Sequence, residues 1–191
     1  MKIILITPPQ TLDNECAIVN RMFDEGLEIL HLRKPEATCG EMEDYILQIE
    51  GQYRNRIVVH SCFELIDKYN LKGAHIGLNR PMTIAGYSRH LSYSCHSIEE
   101  VKEQKPHCDY VFLSPIFNSI SKQDYTAAFS AEQLIEAKAQ HIIDDKVVAL
   151  GGITLSNINN VRQLGFGGVA LLGDVWQNDD PAARLCEYLE Y

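Results

Sequence analysis

Two glycine-bearing segments of this chain are suited to meet an anion. Ala149-Leu150-Gly151-Gly152-Ile153-Thr154 and Gly168-Val169-Ala170-Leu171-Leu172-Gly173-Asp174 each contain a short apolar run that ends in glycine. Glycine allows the backbone to approach a ligand closely, and a helix starting beyond Gly173 presents unpaired N–H groups of the kind that hold phosphate. A tight turn with no ligand is the plainer reading of Gly151-Gly152. His31-Leu32-Arg33-Lys34 closes another apolar run. Strand alternation places His31 and Arg33 on one face, and an inward arginine needs a carboxylate or phosphate partner. Ser114-Pro115-Ile116-Phe117-Asn118-Ser119-Ile120-Ser121-Lys122 gathers hydroxyls and an ammonium in one stretch. That set suits anionic oxygens, and equally a solvated loop.

Histidines recur at 31, 60, 75 and 96. Imidazoles from several strands can converge on zinc, as in a metal hydrolase. There is no His-x-His pair, and Asp174 is the carboxylate offered at the last strand end. Hydrogen-bonded core histidines are the commoner outcome, and no metal ligands are assigned.

The elements that must position these groups alternate along the chain. Strands are expected at Ile3–Thr7, Leu27–Arg33, Ile57–His60, Ala74–Gly77, His90–Ser94, Tyr110–Ser114, Val147–Leu150 and Gly168–Leu172. Apolar residues at helical spacing mark helices over Asn14–Glu25, Glu41–Glu50, Phe63–Tyr69, Ile98–Gln104, Ala131–His141, Ser156–Gln163 and Pro181–Glu190. The segment through Pro81 and Gly86 reads as irregular. Strands separated by crossovers pair in parallel, and eight of them close into a (β/α)8 TIM barrel whose lumen side chains can just fill. An open doubly wound sheet is the alternative. Either way the strands' C-terminal ends carry the chemistry, and in barrels the loops after strands seven and eight commonly take phosphate.

The 191 residues fit a single domain, 1–191, with ordinary globular composition. A net charge of −9 disfavours nucleic acid or an anionic membrane as partner, but a local cradle can still take a small phosphate substrate. The first apolar run stops at Thr7-Pro8-Pro9, too soon for a signal or spanning helix. Six cysteines without a CxxC pair read as reduced thiols of a cytoplasmic protein.

The ordered set His31-Leu32-Arg33-Lys34, Gly73-Ala74-His75-Ile76-Gly77, Ser94-Cys95-His96-Ser97-Ile98-Glu99-Glu100, Asp109-Tyr110-Val111-Phe112-Leu113-Ser114-Pro115-Ile116-Phe117, Ala149-Leu150-Gly151-Gly152-Ile153 and Gly168-Val169-Ala170 resembles the motifs of thiamin phosphate synthase and TenI, in register from the first strand to the last. The resemblance implies a (β/α)8 barrel, a thiazole phosphate ligand and a transferase of thiamin biosynthesis. In that family a hydroxymethylpyrimidine diphosphate loses diphosphate, and the thiazole nitrogen captures the resulting cation. Carried over by position, the backbone N–H groups of Gly152, Leu172 and Gly173, beside Gly151, hold the thiazole phosphate. Arg33, Ser94 and Lys122 face the diphosphate and pyrimidine, and Ser119 and Ser121 replace the usual threonines.

Other positions depart from the pattern. His60 and Ser61 stand where the synthases have Asn-Asp, and Arg80 stands for an aspartate after strand four. The two aspartates hold Mg²⁺ in the family, so no cofactor is expected here. Arg80 could instead neutralise the leaving group. His31 replaces a glutamine, and Pro35 replaces a lysine for which Lys34 is the neighbouring substitute. His60 is the candidate general acid or base, or a neutral stand-in for asparagine. The TenI tautomerase histidine corresponds to Pro115, which leaves His60 or His31 to carry a proton. A TenI-like isomerase and a non-catalytic phosphate-binding partner are the alternatives, and a homodimer is compatible with the family.

Overall fold

The computed structural model describes residues 1–77, 89–118 and 128–191. Eight strands close a barrel in chain order: β1 (Lys2–Ile6), β2 (Ile29–Leu32), β3 (Ile57–Val59), β4 (Gly73–Ile76), β5 (His90–Cys95), β6 (Tyr110–Leu113), β7 (Val147–Leu150) and β8 (Gly168–Leu171). Every neighbouring pair is parallel, including β1 with β8. Closure decides against the open sheet. Around it run α1 (Glu15–Asp24), α2 (Cys39–Gln48), α3 (Glu64–Lys68), α4 (Ile98–Gln104), α5 (Ala131–Ala139), α6 (Ile158–Gln163), the single turn α7 (Gly173–Trp176) and α8 (Pro181–Leu189).

Local chemistry accounts for the helix starts. Thr38 and Glu41 form a reciprocal capping box, so α2 begins at Cys39, two residues before the apolar spacing alone suggests. Ser130 with Gln133 does the same for α5. Asp180 caps α8, with Pro181 in the first helical position, where a missing N–H costs nothing. Alternate strand residues pack outward against the helices, and the opposite set fills the lumen. The lumen has an apolar side, with Ile4, Ile6, Val148 and Ala170 buried. Its other side is polar: His31, His75, Ser92 and the Tyr110 phenol are all buried on β2, β4, β5 and β6.

One cysteine expectation is corrected. Cys39, at the start of α2, and Cys62, after β3, are disulfide-bonded with their Cα atoms 5.5 Å apart. Parallel neighbours that end at the same level bring these loops side by side, a proximity invisible in the 23-residue separation. Cys16, Cys95 and Cys108 are free and buried. Burial pushes the Cys95 thiol up to about 12 and those of Cys16 and Cys108 to about 11, which leaves them protonated and inert near neutrality. No helix among the described residues is long and apolar enough to cross a membrane.

Candidate active site

The C-terminal ends of the strands enclose a cavity of about 400 Å³. Arg33 reaches it from the end of β2, His60 and Ser61 from the residues after β3, His75 from β4, Ser94 from β5, and Phe112 and Leu150 from β6 and β7. Two members of the expected trio, Arg33 and Ser94, therefore share one cavity. Lys122, with Ser119 and Ser121, lies outside the described residues, as does Arg80.

Arg33 is exposed at the mouth, and its backbone N–H donates to the Thr7 hydroxyl at 2.9 Å, tying β2 to β1. His31 lies below it, fully buried in the lumen. Lys34 turns away. Its ammonium lies 2.8 Å from both carboxylate oxygens of Glu15 and also donates to the carbonyls of Pro8 and Gln10. The Tyr45 hydroxyl and the Leu12 N–H donate to the same carboxylate. Lys34 thus clamps the loop after β1 onto α1 and α2, and its charge is spent before it could meet a substrate.

The polar side of the lumen is one hydrogen-bonded chain. Ser94 Oγ lies 2.7 Å from His75 Nε2, and His75 Nδ1 lies 2.9 Å from Ser92 Oγ. The Ser92 hydroxyl bonds the Tyr110 phenol, which lies 2.5 Å from His31 Nε2. His31 Nδ1 is 3.0 Å from His60 Nε2. Donation in one direction, from Ser94 through to His60, satisfies every link. Burial drives the His31 and His75 rings well below the usual imidazole range, and the neighbouring rings add to the effect. Both are neutral at pH 7.

One nitrogen from each of His31, His60 and His75 lies within 4.8 Å of the other two. His96 lines the same cavity but is outside this set, its Nδ1 on the Ser114 carbonyl at 3.1 Å. Of the four histidines for which the sequence left convergence on zinc or separate core hydrogen bonding open, three come together. Strand parity is the reason: each sits at the lumen-facing end of a consecutive strand. Asp174, the other doubtful group, is paired with Arg184 and Tyr188 of α8.

Leu150 at the end of β7 lines the cavity, whereas Gly151, Gly152, Leu172 and Gly173 do not. Gly151 and Gly152 have φ of +97° and +65°. A Cβ on Gly152 would fall 2.3 Å from the Asn118 carbonyl oxygen, so close approach of the segment after β6 already demands glycine there. The loop is held through its oxygens: Phe117 N–H donates to Gly151 and Asn157 Nδ2 to Gly152. Gly173 opens α7, and the Leu172 and Gly173 carbonyls are taken by Trp176 and Gln177.

The family model described as thiamine monophosphate synthase, TMP-TENI, matches residues 3–175. A curated thiamine-phosphate synthase of Desulfitobacterium hafniense (strain Y51) is 26% identical over 174 residues, which cover 86% of this chain and 83% of the relative. The crystal structure of thiamine phosphate pyrophosphorylase from Bacteroides thetaiotaomicron superposes with a TM-score of 0.89 at 39% identity, covering 100% of this chain and 96% of that one. Thiamine phosphate pyrophosphorylase from Pyrococcus furiosus gives 0.81 at 22% identity, over 99% and 94%, a likeness of fold.

Proposed function

The chain belongs to the thiamine monophosphate synthase family, TMP-TENI, and from that premise we propose that it is a transferase joining hydroxymethylpyrimidine diphosphate to thiazole phosphate. The bond between the pyrimidine methylene and diphosphate breaks, diphosphate departs with the electron pair, and the thiazole nitrogen forms the new bond to the methylene carbon. The observation that carries this reading is the convergence of Arg33 and Ser94 on one cavity at the C-terminal ends of the strands. Positive charge and hydroxyls fixed where negative charge develops lower the barrier to such a departure. Backbone N–H groups of Gly152, Leu172 and Gly173 hold the thiazole phosphate, and Lys122, Ser119, Ser121 and Arg80 complete the anion site from the sequence pattern.

The family's Mg²⁺ does not fit the residues present. Ser61 and Arg80 occupy its ligand positions, and no carboxylate lines the cavity among the described residues. Mg²⁺ needs oxygen ligands, usually one or two carboxylates besides the substrate oxygens. Diphosphate binding is therefore nearly independent of Mg²⁺. A coupled assay with both substrates, with and without Mg²⁺, tests the reading. Thiamin phosphate and diphosphate should form at rates that differ less than twofold. Strict dependence on added Mg²⁺, or no product in either case, decides against it. His60 at the cavity wall keeps a tautomerase in view, and thiazole carboxylate phosphate alone as substrate would reveal one.

A further inference from the structure

We propose that His31, His60 and His75 form a binding site for a nitrogen-seeking divalent ion of the zinc type, with an open position facing the cavity. His31 Nδ1 and His60 Nε2 are 3.0 Å apart, and one nitrogen of His75 completes a set within 4.8 Å. Two imidazole nitrogens on a tetrahedral zinc at about 2.0–2.1 Å stand roughly 3.3 Å apart, so small ring rotations admit the ion.

The surroundings are those of a metal site. Ligating histidines generally anchor their second ring nitrogen on a neighbouring group, which fixes tautomer and orientation. With Nδ1 on the ion, His31 Nε2–H meets the Tyr110 phenol at 2.5 Å. With Nε2 on the ion, His75 Nδ1–H meets the Ser92 hydroxyl at 2.9 Å. Both anchors are buried. His31 and His75 stand on β2 and β4, and His60 directly follows β3, so all three ride on the rigid frame of the barrel.

The donor set selects the ion. Three imidazoles without a carboxylate suit zinc, cobalt or nickel and do not suit magnesium or calcium. They also leave the ion's two positive charges uncompensated, so the fourth position favours an anionic oxygen. That position opens toward Ser94 and Arg33. If the proposed function holds, the anion is a diphosphate oxygen, and the ion supplies the charge neutralisation that the lost aspartates would otherwise secure through Mg²⁺. Binding of the ion itself does not rest on that reading.

Chelator-stripped full-length protein, titrated with Zn²⁺ by calorimetry and with Co²⁺ by visible absorption, tests the site. One equivalent should bind, Co²⁺ should give the strong d–d bands of a tetrahedral nitrogen site, and Mg²⁺ should not compete. His60→Asn should weaken Zn²⁺ at least tenfold with its melting temperature retained, and His96→Asn should leave the affinity unchanged. No stoichiometric binding, sulfur-to-cobalt charge-transfer bands, or equal losses in the two variants would overturn the site. The readout separates two failures: protein that binds Co²⁺ without making thiamin phosphate refutes the proposed function alone, and active protein that binds no Co²⁺ refutes the site alone.

Discussion

The Lys34 ammonium lies 2.8 Å from both carboxylate oxygens of Glu15, with the two side chains 3% and 0% exposed. Every remaining polar contact of the pair is met by Pro8, Gln10, Leu12 and Tyr45. Breaking a buried, fully bonded pair by removing one partner strands a charge and costs about 3–5 kcal/mol. Glu15→Gln and Lys34→Met should each lower stability by that order in urea unfolding. Replacing both together should cost less than the sum, because no lone charge is left. A Lys34 variant that changes substrate binding with its unfolding midpoint intact would restore this lysine to the substrate site.

Gly152→Ala should also destabilise the protein, by about 1–3 kcal/mol. Its φ of +65° is one that side chains rarely adopt, and the added Cβ meets the Asn118 carbonyl oxygen at 2.3 Å. The segment after β6 has to move, so thiazole phosphate binding should weaken along with the melting temperature. Gly51→Ala, where nothing lies within 4 Å of the new carbon, is the matched control. Equal melting temperatures for the two variants would show that the loop has room.

Much of this architecture was legible before any coordinates, for a local reason. Short β-branched runs, glycine ends and helical spacing are written within a few residues, whereas barrel closure, the pairing of β1 with β8, joins residues far apart in the chain and left the open sheet as an alternative. Lys34 was not legible: it joins β2 to a carboxylate 19 residues earlier, and from sequence a cation beside Arg33 suits a substrate equally well. Cys39 and Cys62 meet because the ends of β2 and β3 are level, a matter of register. Gly151-Gly152 carries a packing constraint and a binding expectation in the same two residues, so spacing alone cannot separate them.

His90 makes the fold sensitive to acid. Its ring packs on Tyr110, Nδ1 faces Asp109 at 3.4 Å, and Nε2 is buried without a hydrogen-bond partner among the described residues. Burial lowers its pKa to about 4, against a partial pull upward from Asp109 and a small push downward from Lys72. The unfolded chain takes up this proton near pH 6.5, so between about pH 6.5 and 4 it binds more protons than the native state. Stability conferred by neutral His90 is complete above that window and falls as pH drops through it, by up to about 1.4 kcal/mol per pH unit. His90→Phe should flatten this part of the stability profile. An unchanged slope between pH 6.5 and 4 would assign the acid sensitivity to other groups.

Tyr110→Phe isolates the hydroxyl that links the two halves of the lumen chain. Its ring remains to pack against Phe112 and His90, so no large void opens. Burial pushes the phenol pKa up, and the hydroxyl stays protonated at every working pH. Removing it leaves His31 Nε2 and the Ser92 hydroxyl each short of a partner, at a cost of about 1–3 kcal/mol. Tyr110→Phe with Ser92→Ala should cost less than the two changes summed, since the second deletes a group the first has stranded. A purely structural hydroxyl would move stability and nothing else. A phenol that orients a ligating imidazole should also weaken Co²⁺ binding about 10–100-fold, with the absorption bands broadened as His31 loses its fixed tilt. The two effects separate in Ser94→Ala, which removes a hydroxyl at the open cavity and leaves the Tyr110–His31 contact whole. There the affinity should change less than threefold, whereas an equal loss in both variants would mean that no ring is being oriented.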